Sequence, residues 1–305
     1  MAAVVVGLLG ACGKVDSPTA EARGVQKANA YIACFNAVGQ PILDSFAQYT
    51  GWMQDAEAGP TGRETQVRGP GTVLAHHAKP CAAPMVAALA MVPADPHLDA
   101  PARAYQASFE DLYGVIEQAD RYYQREDYRQ DNGVGMRGHH APLMQAYGAF
   151  FAAARAMNAA LEKREDDSRM AQLKAIEAAE GRSLAYHRLR IVSEGQQLTR
   201  LLAADAPDLD GARTQLTAFQ AQLRQAQDDT VGNGDAMWGQ VVRAADALER
   251  DAQRRIERVQ TGTPPTRGGQ RVMQGSSQPD NLQGSAEAVM ASYNDLAEMS
   301  NRTTH

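Results

Sequence analysis

The sequence predicts an all-α protein, built as an elongated antiparallel bundle of long amphipathic helices. Hydrophobic residues make up 44% of the 305-residue chain, which suffices for a core. Alanine is abundant, and Ala, Leu, Gln, Glu and Arg all favour helix. No stretch alternates apolar and polar residues as a half-buried strand does. Two stretches instead repeat apolar residues in alternating steps of four and three, which places those residues on one helix face.

The N-terminal part is predicted to contain two helical pieces and a loop. A helix is predicted to begin at Thr19 and Glu21, and its apolar positions Ala30, Tyr31, Cys34, Phe35 and Val38 follow helical spacing. The sequence Gly39-Gln40-Pro41 is expected to break or kink this helix, because proline removes a backbone donor and disfavours helix in the residue before it. A second helical piece follows over residues 42–52. Repeated Gly and Pro predict a loop over residues 59–80, and a short helix is expected over residues 81–91.

The two best-patterned helices follow as a pair. The first seam is Leu98, Ala102, Tyr105, Phe109, Leu112, Ile116, Ala119 and Tyr123, and the second is Leu143, Tyr147, Phe150, Ala154, Met157 and Leu161. The polar turn Asp131-Asn132-Gly133 separates them, with glycine as the terminator of the first helix. Two such seams joined by a short polar loop are predicted to form an antiparallel helical hairpin.

The C-terminal half is predicted to contain further amphipathic helices. Apolar spacing continues over residues 173–201, as one long helix or two. Other helices are predicted to start at Pro207 and after Asp235, which is a favourable N-cap residue. Residues 261–284 are rich in Gly, Pro, Ser and Gln and are predicted to form a flexible loop. Ser285 then caps a final helix.

A stretch near the N-terminus predicts where the protein is held. The apolar run Val4 to Leu9 is followed by Gly10-Ala11-Cys12, and this sequence resembles a bacterial lipobox. A lipobox is lipidated on its cysteine and cut just before it, and small residues at the cut let the chain enter the peptidase in extended form. We therefore predict a signal peptide at residues 1–11 and a lipidated N-terminus with a tether at residues 12–24. The run is shorter than the roughly 20 apolar residues that span a bilayer.

The first residues depart from a typical signal peptide. Met1-Ala2-Ala3 contains no Lys or Arg, although signal peptides normally open with a basic residue. A translation start upstream of Met1 would supply one. The alternative is a buried hydrophobic N-terminus in which Cys12 is a free core thiol. We predict the lipoprotein, because a polar segment follows the apolar run at once.

The chain after the tether is predicted to be one all-helical domain of residues 25–304, with the flexible loop at 261–284.

Charge and cysteine content narrow the classes of function that this domain can have. The net charge of -6 and the pI of about 5.7 argue against general nucleic-acid binding. Export would place Cys34 and Cys81 in an oxidising compartment. We predict a disulfide between them, which would constrain the unfolded chain by roughly 3–4 kcal/mol, with two separate thiols as the alternative.

Catalytic and metal-binding motifs are absent from the sequence. It contains no His-Glu-x-x-His, no Glu-x-x-His, no Cys-x-x-Cys-His and no Gly-x-Ser-x-Gly. We therefore predict no enzyme activity, no cofactor and no metal site, and we expect the many carboxylates to lie on solvated helical faces. Two groups of residues remain candidates for a binding site. They are His139-His140, and Tyr122-Tyr123 with Tyr128. The alternatives are hydrogen-bonded or solvated histidines, and tyrosines that pack on one face with the hydroxyl at the surface.

Several local motifs together resemble a known family. They are Tyr31-Ile32-Ala33-Cys34-Phe35-Asn36, Asp44-Ser45, Tyr49, Trp52, Pro96-His97-Leu98-Asp99, Tyr105, Leu112, Tyr122-Tyr123, Tyr293-Asn294-Asp295-Leu296 and Asn301. By the order and spacing of these motifs, together with the lipobox, the chain resembles the YiiG family of bacterial lipoproteins, whose domain has no known function. The resemblance extends over residues 25–300. It implies an all-helical envelope lipoprotein and supplies no catalytic residues.

The predicted function is therefore a place in the cell envelope. Gly13 stands where an aspartate would indicate retention at the inner membrane, which favours the outer membrane, facing the periplasm. We expect a helical interaction module held to the membrane by the lipid on Cys12, with an envelope protein as partner and no nucleic acid. The alternatives are a small-molecule or metal-binding protein with a site between helices, and a hydrolase without a recognisable motif. A metal-binding site would be favoured if six of the histidines lay close together in space: His76, His77, His97, His139, His140 and His187.

Overall fold

The computed structural model describes residues 19–204, 206–231, 236–263 and 283–302. Within those ranges every regular element is a helix, which confirms the predicted all-α class. The α-helices are α1 (Ala20–Thr50), α2 (Ala75–Ala78), α3 (Ala83–Ala90), α4 (Pro96–Gln124), α5 (Val134–Glu180), α6 (Leu184–Ala203), α7 (Leu209–Asp229), α8 (Ala236–Thr261) and α9 (Ala286–Arg302). Short 3-10 helices lie at Lys79–Cys81 and Asp127–Arg129.

The chain divides into two compact units, one ending at Glu165 and the other beginning at Asp166. The boundary falls within α5, and each unit has its own hydrophobic core. The prediction of a single domain over residues 25–304 stays a prediction. Most of the predicted flexible loop, at residues 264–282, lies outside the described residues.

The first unit is built on three long helices, of which α1 and α4 run parallel. Tyr31 of α1 bonds Asp99 at the start of α4, while Tyr49 near the end of α1 packs on Tyr123 near the end of α4. Helix α5 runs antiparallel to α4, since His139 near the start of α5 packs on Tyr122 near the end of α4, while Arg164 further along α5 pairs with Asp95 at the start of α4. We call the two ends of this unit the Asp99 end and the Tyr123 end.

Burial in the first unit follows the two apolar seams. Every position of the first seam is buried, from Leu98 to Tyr123. In the second seam Leu143, Tyr147, Phe150 and Met157 are buried and the other two positions are partly buried. Asp95 caps α4 by accepting a hydrogen bond from the backbone N of Leu98 at 3.2 Å. The pattern of apolar residues therefore determines which faces of α4 and α5 meet.

Helix α1 does not break at Pro41, contrary to one of the two predicted outcomes. It continues as one helix from Ala20 to Thr50 with Pro41 inside it. A proline in a helix interior costs one backbone hydrogen bond and introduces a ring clash. Val38 and Ile42 on either side of it are fully buried. Their packing against the core offsets that cost.

The second unit packs α6, α7, α8 and α9 around one core, with α6 against α7 and α9 against both α6 and α8. The apolar spacing over residues 173–201 is divided between two helices, since Gly181 has a φ of 68° and Ser183 caps α6. Helices α6 and α8 pack closely at Gly195 of α6, because a Cβ on Gly195 would lie 2.9 Å from Cδ2 of Leu248 in α8. Among the described helices, none is long and apolar enough to cross a membrane.

Candidate functional site

All three cysteines are predicted site residues, and the structure describes two of them. Cys12 lies outside the described residues. Cys34 of α1 and Cys81 are joined by a disulfide, with their Cα atoms 4.6 Å apart. Both are fully buried, and Gln106 of α4 donates a hydrogen bond to the carbonyl of Cys81 at 3.3 Å. The bridge fastens the segment that precedes α3 to the middle of α1.

The histidines do not gather at one place within the first unit. His76 and His77 lie together on α2, with ring centroids 4.0 Å apart, and His97 is exposed at the start of α4. His139 and His140 lie at the Tyr123 end, and His187 belongs to the second unit. Among the described residues, no three His, Cys, Asp or Glu side chains are arranged to hold a metal ion.

The Tyr123 end contains a cluster of rings from α1, α4, α5 and the turns that follow α1 and α4, which we call the aromatic cluster. Its members are Tyr49, Trp52, Tyr122, Tyr123, Tyr128, His139 and His140, with neighbouring ring centroids between 4.9 and 6.5 Å apart. Three of these six ring pairs are edge-to-face, an arrangement that the quadrupoles of aromatic rings favour, and the other three are tilted. Sequence analysis pointed to five of these residues separately, and the fold brings them together.

The ends of α1, α4 and α5 position the aromatic cluster. The Tyr49 hydroxyl lies 3.2 Å from Nδ1 of His140. Tyr122 donates a hydrogen bond to the carboxylate of Asp131, which also accepts one from the backbone N of Gly135. Burial opposes ionisation of Asp131, but these hydrogen bonds outweigh it and hold its pKa below the usual range. The carboxylate thereby fastens the turn between α4 and α5.

The hydroxyls of Tyr49, Tyr122 and Tyr123 are neutral at physiological pH, because their pKa values are raised. Burial raises the pKa of Tyr49 to about 12. Burial, and then the hydrogen bond to Asp131, raises the pKa of Tyr122 to about 12. Burial and the neighbouring Tyr49 hydroxyl raise the pKa of Tyr123 further still. These groups can donate and accept hydrogen bonds to a ligand, but they do not supply a base.

A long loop between α1 and α2 lies directly on the aromatic cluster. Gly59 has a φ of 83°, and a Cβ there would lie 2.5 Å from Cδ2 of His140. A Cβ on Gly69 would lie 2.7 Å from Cβ of Tyr123 and 3.3 Å from Oδ1 of Asp120. Two glycines that the sequence marks only as helix breakers therefore allow the loop to contact the helices.

One turn of this loop is held by a carboxylate. Glu64 accepts hydrogen bonds from the backbone N of Thr61 at 2.6 Å, from its hydroxyl at 2.8 Å and from the backbone N of Gly62 at 2.8 Å. Burial alone would raise the pKa of Glu64, but the hydrogen bonds from Thr61 and Gly62 lower it. The ionised carboxylate therefore keeps the turn in place at neutral pH.

The loop and the end of α1 enclose a cleft of about 820 Å³, which we call the Trp52 cleft. It is lined by Gly51, Trp52, Met53, Gln54, Thr61, Arg63, Glu64, Thr65 and Gln66. The lining combines one aromatic side chain with amides, hydroxyls and an exposed guanidinium. Ligand sites commonly combine an apolar face with a few fixed polar groups in this way.

Three buried polar atoms at the Tyr123 end have no hydrogen-bond partner among the described residues. They are Oδ1 of Asp120, Nε1 of Trp52 and the hydroxyl oxygen of Tyr123. Asp120 is only 6% exposed, which corrects the expectation that the carboxylates lie on solvated faces. Buried polar atoms are nearly always paired in folded proteins. This end of the unit therefore has hydrogen-bonding capacity that its own residues do not use.

Comparisons with known proteins agree on one family. The family model described as "Protein of unknown function (DUF3829)" matches residues 22–302. "Uncharacterized protein YiiG" from Escherichia coli (strain K12) is 25% identical over 273 residues, which cover 90% of this chain and 77% of that protein. No solved structure matches the chain.

Proposed function

The chain belongs to the DUF3829 family of proteins of unknown function, which confirms its membership of the YiiG family, and we propose that it is a lipid-anchored protein of the bacterial envelope. In this proposal the lipid is attached to Cys12, and the protein is held at the outer membrane, facing the periplasm. The helical part acts as an interaction module for another envelope component. It does so without catalysing a reaction.

The observation that carries this proposal is the disulfide between Cys34 and Cys81. Disulfides persist in oxidising compartments and are rare in the cytosol of most cells. The bridge lies within the core of the first unit, where both cysteines are buried. It therefore supports export by an argument independent of the Leu9-Gly10-Ala11-Cys12 sequence. The two signals, one covalent and one sequence-based, agree on the same compartment.

The Trp52 cleft supports the interaction role. Glu64 holds the turn at Thr61, and glycines seat the loop on the aromatic cluster, so the walls of the cleft are held in place before a partner arrives. A preorganised surface loses less conformational freedom on binding. Tryptophan and arginine, both present in the lining, are the residue types that most often carry binding energy at interfaces.

The experiment that tests anchoring follows the fatty acid and the cysteines together. Cells that express the protein are grown with labelled palmitate, and Cys12→Ser serves as the matched variant. We expect label in the wild-type protein, none in the variant, and wild-type protein in the outer-membrane fraction. Label on the variant, or reduced Cys34 and Cys81 in the wild-type protein, would contradict the proposal.

A second candidate function is the binding of a small molecule, and the mixed aromatic and polar lining of the Trp52 cleft favours it. The protein has two tryptophans, so Trp238→Phe leaves Trp52 as the sole source of indole fluorescence. Titration with N-acetylglucosamine oligomers or muramyl dipeptide is expected to shift that fluorescence in a saturable manner. The matched variant Arg63→Ala, in the lining of the cleft, should weaken the response, and a flat titration with both probes would count against this candidate for both ligands.

A further inference from the structure

The segment before α4 has an unusual composition for an exposed part of a protein. Residues 80–94 contain no side chain with a charged or hydrogen-bonding group. Met85 and Ala88 face the core, but most of the segment faces solvent. Val86 is 54% exposed and Val92 is 71% exposed. The exposed members, which we call the apolar tip, are Ala82, Ala83, Pro84, Val86, Ala87, Ala90, Val92, Pro93 and Ala94.

The apolar tip lies beside the first turns of α1. Arg23 donates a hydrogen bond from Nε to the carbonyl of Val92 at 2.8 Å. Lys27 lies one turn further along α1, with Nζ 3.4 Å from the carbonyl of Pro93. The tip therefore belongs to the Asp99 end of the first unit, at the point where the chain enters α1 from Cys12.

The distance along the chain restricts where a lipid on Cys12 can be. Ala20 is eight steps along the chain from Cys12, and fully extended these steps span at most about 28 Å. Helix α1 continues from Ala20 for 31 residues, so the Tyr123 end lies about 45 Å further along the helix axis. A lipid anchor thus holds the Asp99 end close to the bilayer and leaves the Tyr123 end distant from its own attachment point.

We propose that the apolar tip rests on the bilayer surface beside the lipidated Cys12, so that the Trp52 cleft at the opposite end of the unit faces away from the membrane. This proposal rests on the proposed lipid anchor. The neighbouring charges suit it: Lys79 is exposed next to the segment and can attract anionic headgroups, while Asp95 after it is already paired with Arg164.

The tip is too weakly apolar to bind a membrane without the anchor. It contains no aromatic or leucine side chain at the surface, and such residues drive the insertion of interfacial helices. Attachment through Cys12 changes the event from a bimolecular one to an intramolecular one. The effective concentration then favours a contact that is too weak to form from solution.

The test uses the protein from Cys12 onward, coupled chemically to a vesicle. Cys34 and Cys81 are bridged and the chain has three cysteines, so Cys12 is the single thiol that reacts with a maleimide phospholipid. The vesicles contain phosphatidylethanolamine, phosphatidylglycerol and a lipid with a photoactivatable headgroup. After illumination, mass spectrometry maps the labelled peptides.

We expect the peptide that contains residues 82–94 to carry at least about ten-fold more label than the peptide around Val134, as an intramolecular contact predicts. Val134 is 61% exposed and lies at the Tyr123 end, so it matches Val92 in type and exposure. Untethered protein should be labelled at neither place. Equal labelling of both peptides, or no label in the tip, would overturn the proposal.

Two charged variants control for the preference of the photoactivated group for particular side chains. Val86→Glu with Val92→Glu should remove the label from the tip, whereas Val134→Glu should leave it unchanged. Both changes lie at exposed positions, so both proteins should melt as the wild type does. A doubly charged tip that is still labelled would contradict contact through these residues.

Chemical coupling separates this proposal from the proposed anchor. The vesicle experiment supplies the lipid whether or not cells acylate Cys12, and so it reports on the tip alone. If the protein carries no palmitate in cells, the proposed lipid anchor is wrong, but the labelling result on vesicles still holds. Absence of labelling on vesicles would defeat the tip contact while leaving the anchor intact.

Discussion

The two ends of the first unit each bury a carboxylate of α4, and they treat it in opposite ways. Asp99 is 7% exposed and Asp120 is 6% exposed. Asp99 accepts hydrogen bonds from Nζ of Lys27 at 2.7 Å, from the hydroxyl of Tyr31 at 2.8 Å and from the backbone N of Asp95 at 3.0 Å. Oδ1 of Asp120 has no partner among the described residues.

This difference distinguishes a buried carboxylate that stabilises the fold from one that does not. A buried charge is costly unless it is paired and hydrogen-bonded, and Asp99 meets that condition. Its contacts fix the start of α4 against α1. Asp120 is as deeply buried, but its Oδ1 makes no hydrogen bond among the described residues, so the cost of burying that atom is not offset there. We infer that the Asp99 end holds the fold and that the Tyr123 end provides the binding surface.

The largest effect is expected at Asp99. Asp99→Ala leaves the ammonium of Lys27 buried without its partner, and breaking a buried pair in this way costs about 3–5 kcal/mol of unfolding free energy. Chemical denaturation followed by circular dichroism measures the loss. A variant within about 1 kcal/mol of the wild type would show that the pair contributes little beyond a surface ion pair.

The contact between the loop and α4 should give a smaller effect. Gly69→Ala places a Cβ 2.7 Å from Cβ of Tyr123, and overpacking of this kind costs about 1–3 kcal/mol. The matched control is Gly39→Ala in α1, where a Cβ meets nothing within 4 Å and should stabilise the helix by about 1 kcal/mol. Equal melting temperatures for the two variants would contradict a close loop contact.

The same comparison predicts a dependence on pH. Burial raises the pKa of Asp99, but the hydrogen bonds from Lys27 and Tyr31 outweigh it and hold the pKa below its usual range. The Asp99 contribution is therefore present above the unfolded-state pKa of about 3.9 and is lost as the pH falls through the folded-state pKa, with a slope of up to about 1.4 kcal/mol per pH unit. Asp99→Asn should lack that part of the acid slope in denaturation curves, and an unchanged slope would contradict the assignment.

Asp120 should show the smallest effect on stability. Asp120→Ala removes a carboxylate whose Oδ1 is unpaired, so the unfolding free energy should stay within about 1 kcal/mol of the wild type or rise. It is the same substitution as Asp99→Ala, in the same helix and at equal burial. A loss as large as that of Asp99→Ala would show that Asp120 supports the fold, and the contrast between the two ends would fail.

The fold was predictable where burial has a period that is visible in the sequence. The seams from Leu98 to Tyr123 and from Leu143 to Leu161 predicted the buried faces of α4 and α5, because one helical face must meet the core over its whole length. The behaviour at Pro41 was harder to predict. Local rules oppose a helix there, and only the packing of Val38 and Ile42 shows why α1 continues.

The candidate site was predictable only in fragments. The sequence drew attention to Tyr122, Tyr123 and Tyr128, since adjacent tyrosines suit a groove. It could not show that Asp120 is buried, because a carboxylate between seam positions normally faces solvent. That burial depends on a loop some 50 residues earlier, whose approach at Gly69 becomes visible only in three dimensions.

The central claim is that the Asp99 end of the first unit is held at a membrane through Cys12, and the mass of the N-terminal peptide tests it most directly. Protein purified from membranes is digested and its first peptide is measured. We expect a peptide that begins at Cys12 and carries a diacylglycerol group. An unmodified peptide that reads through Gly10-Ala11-Cys12 would contradict it.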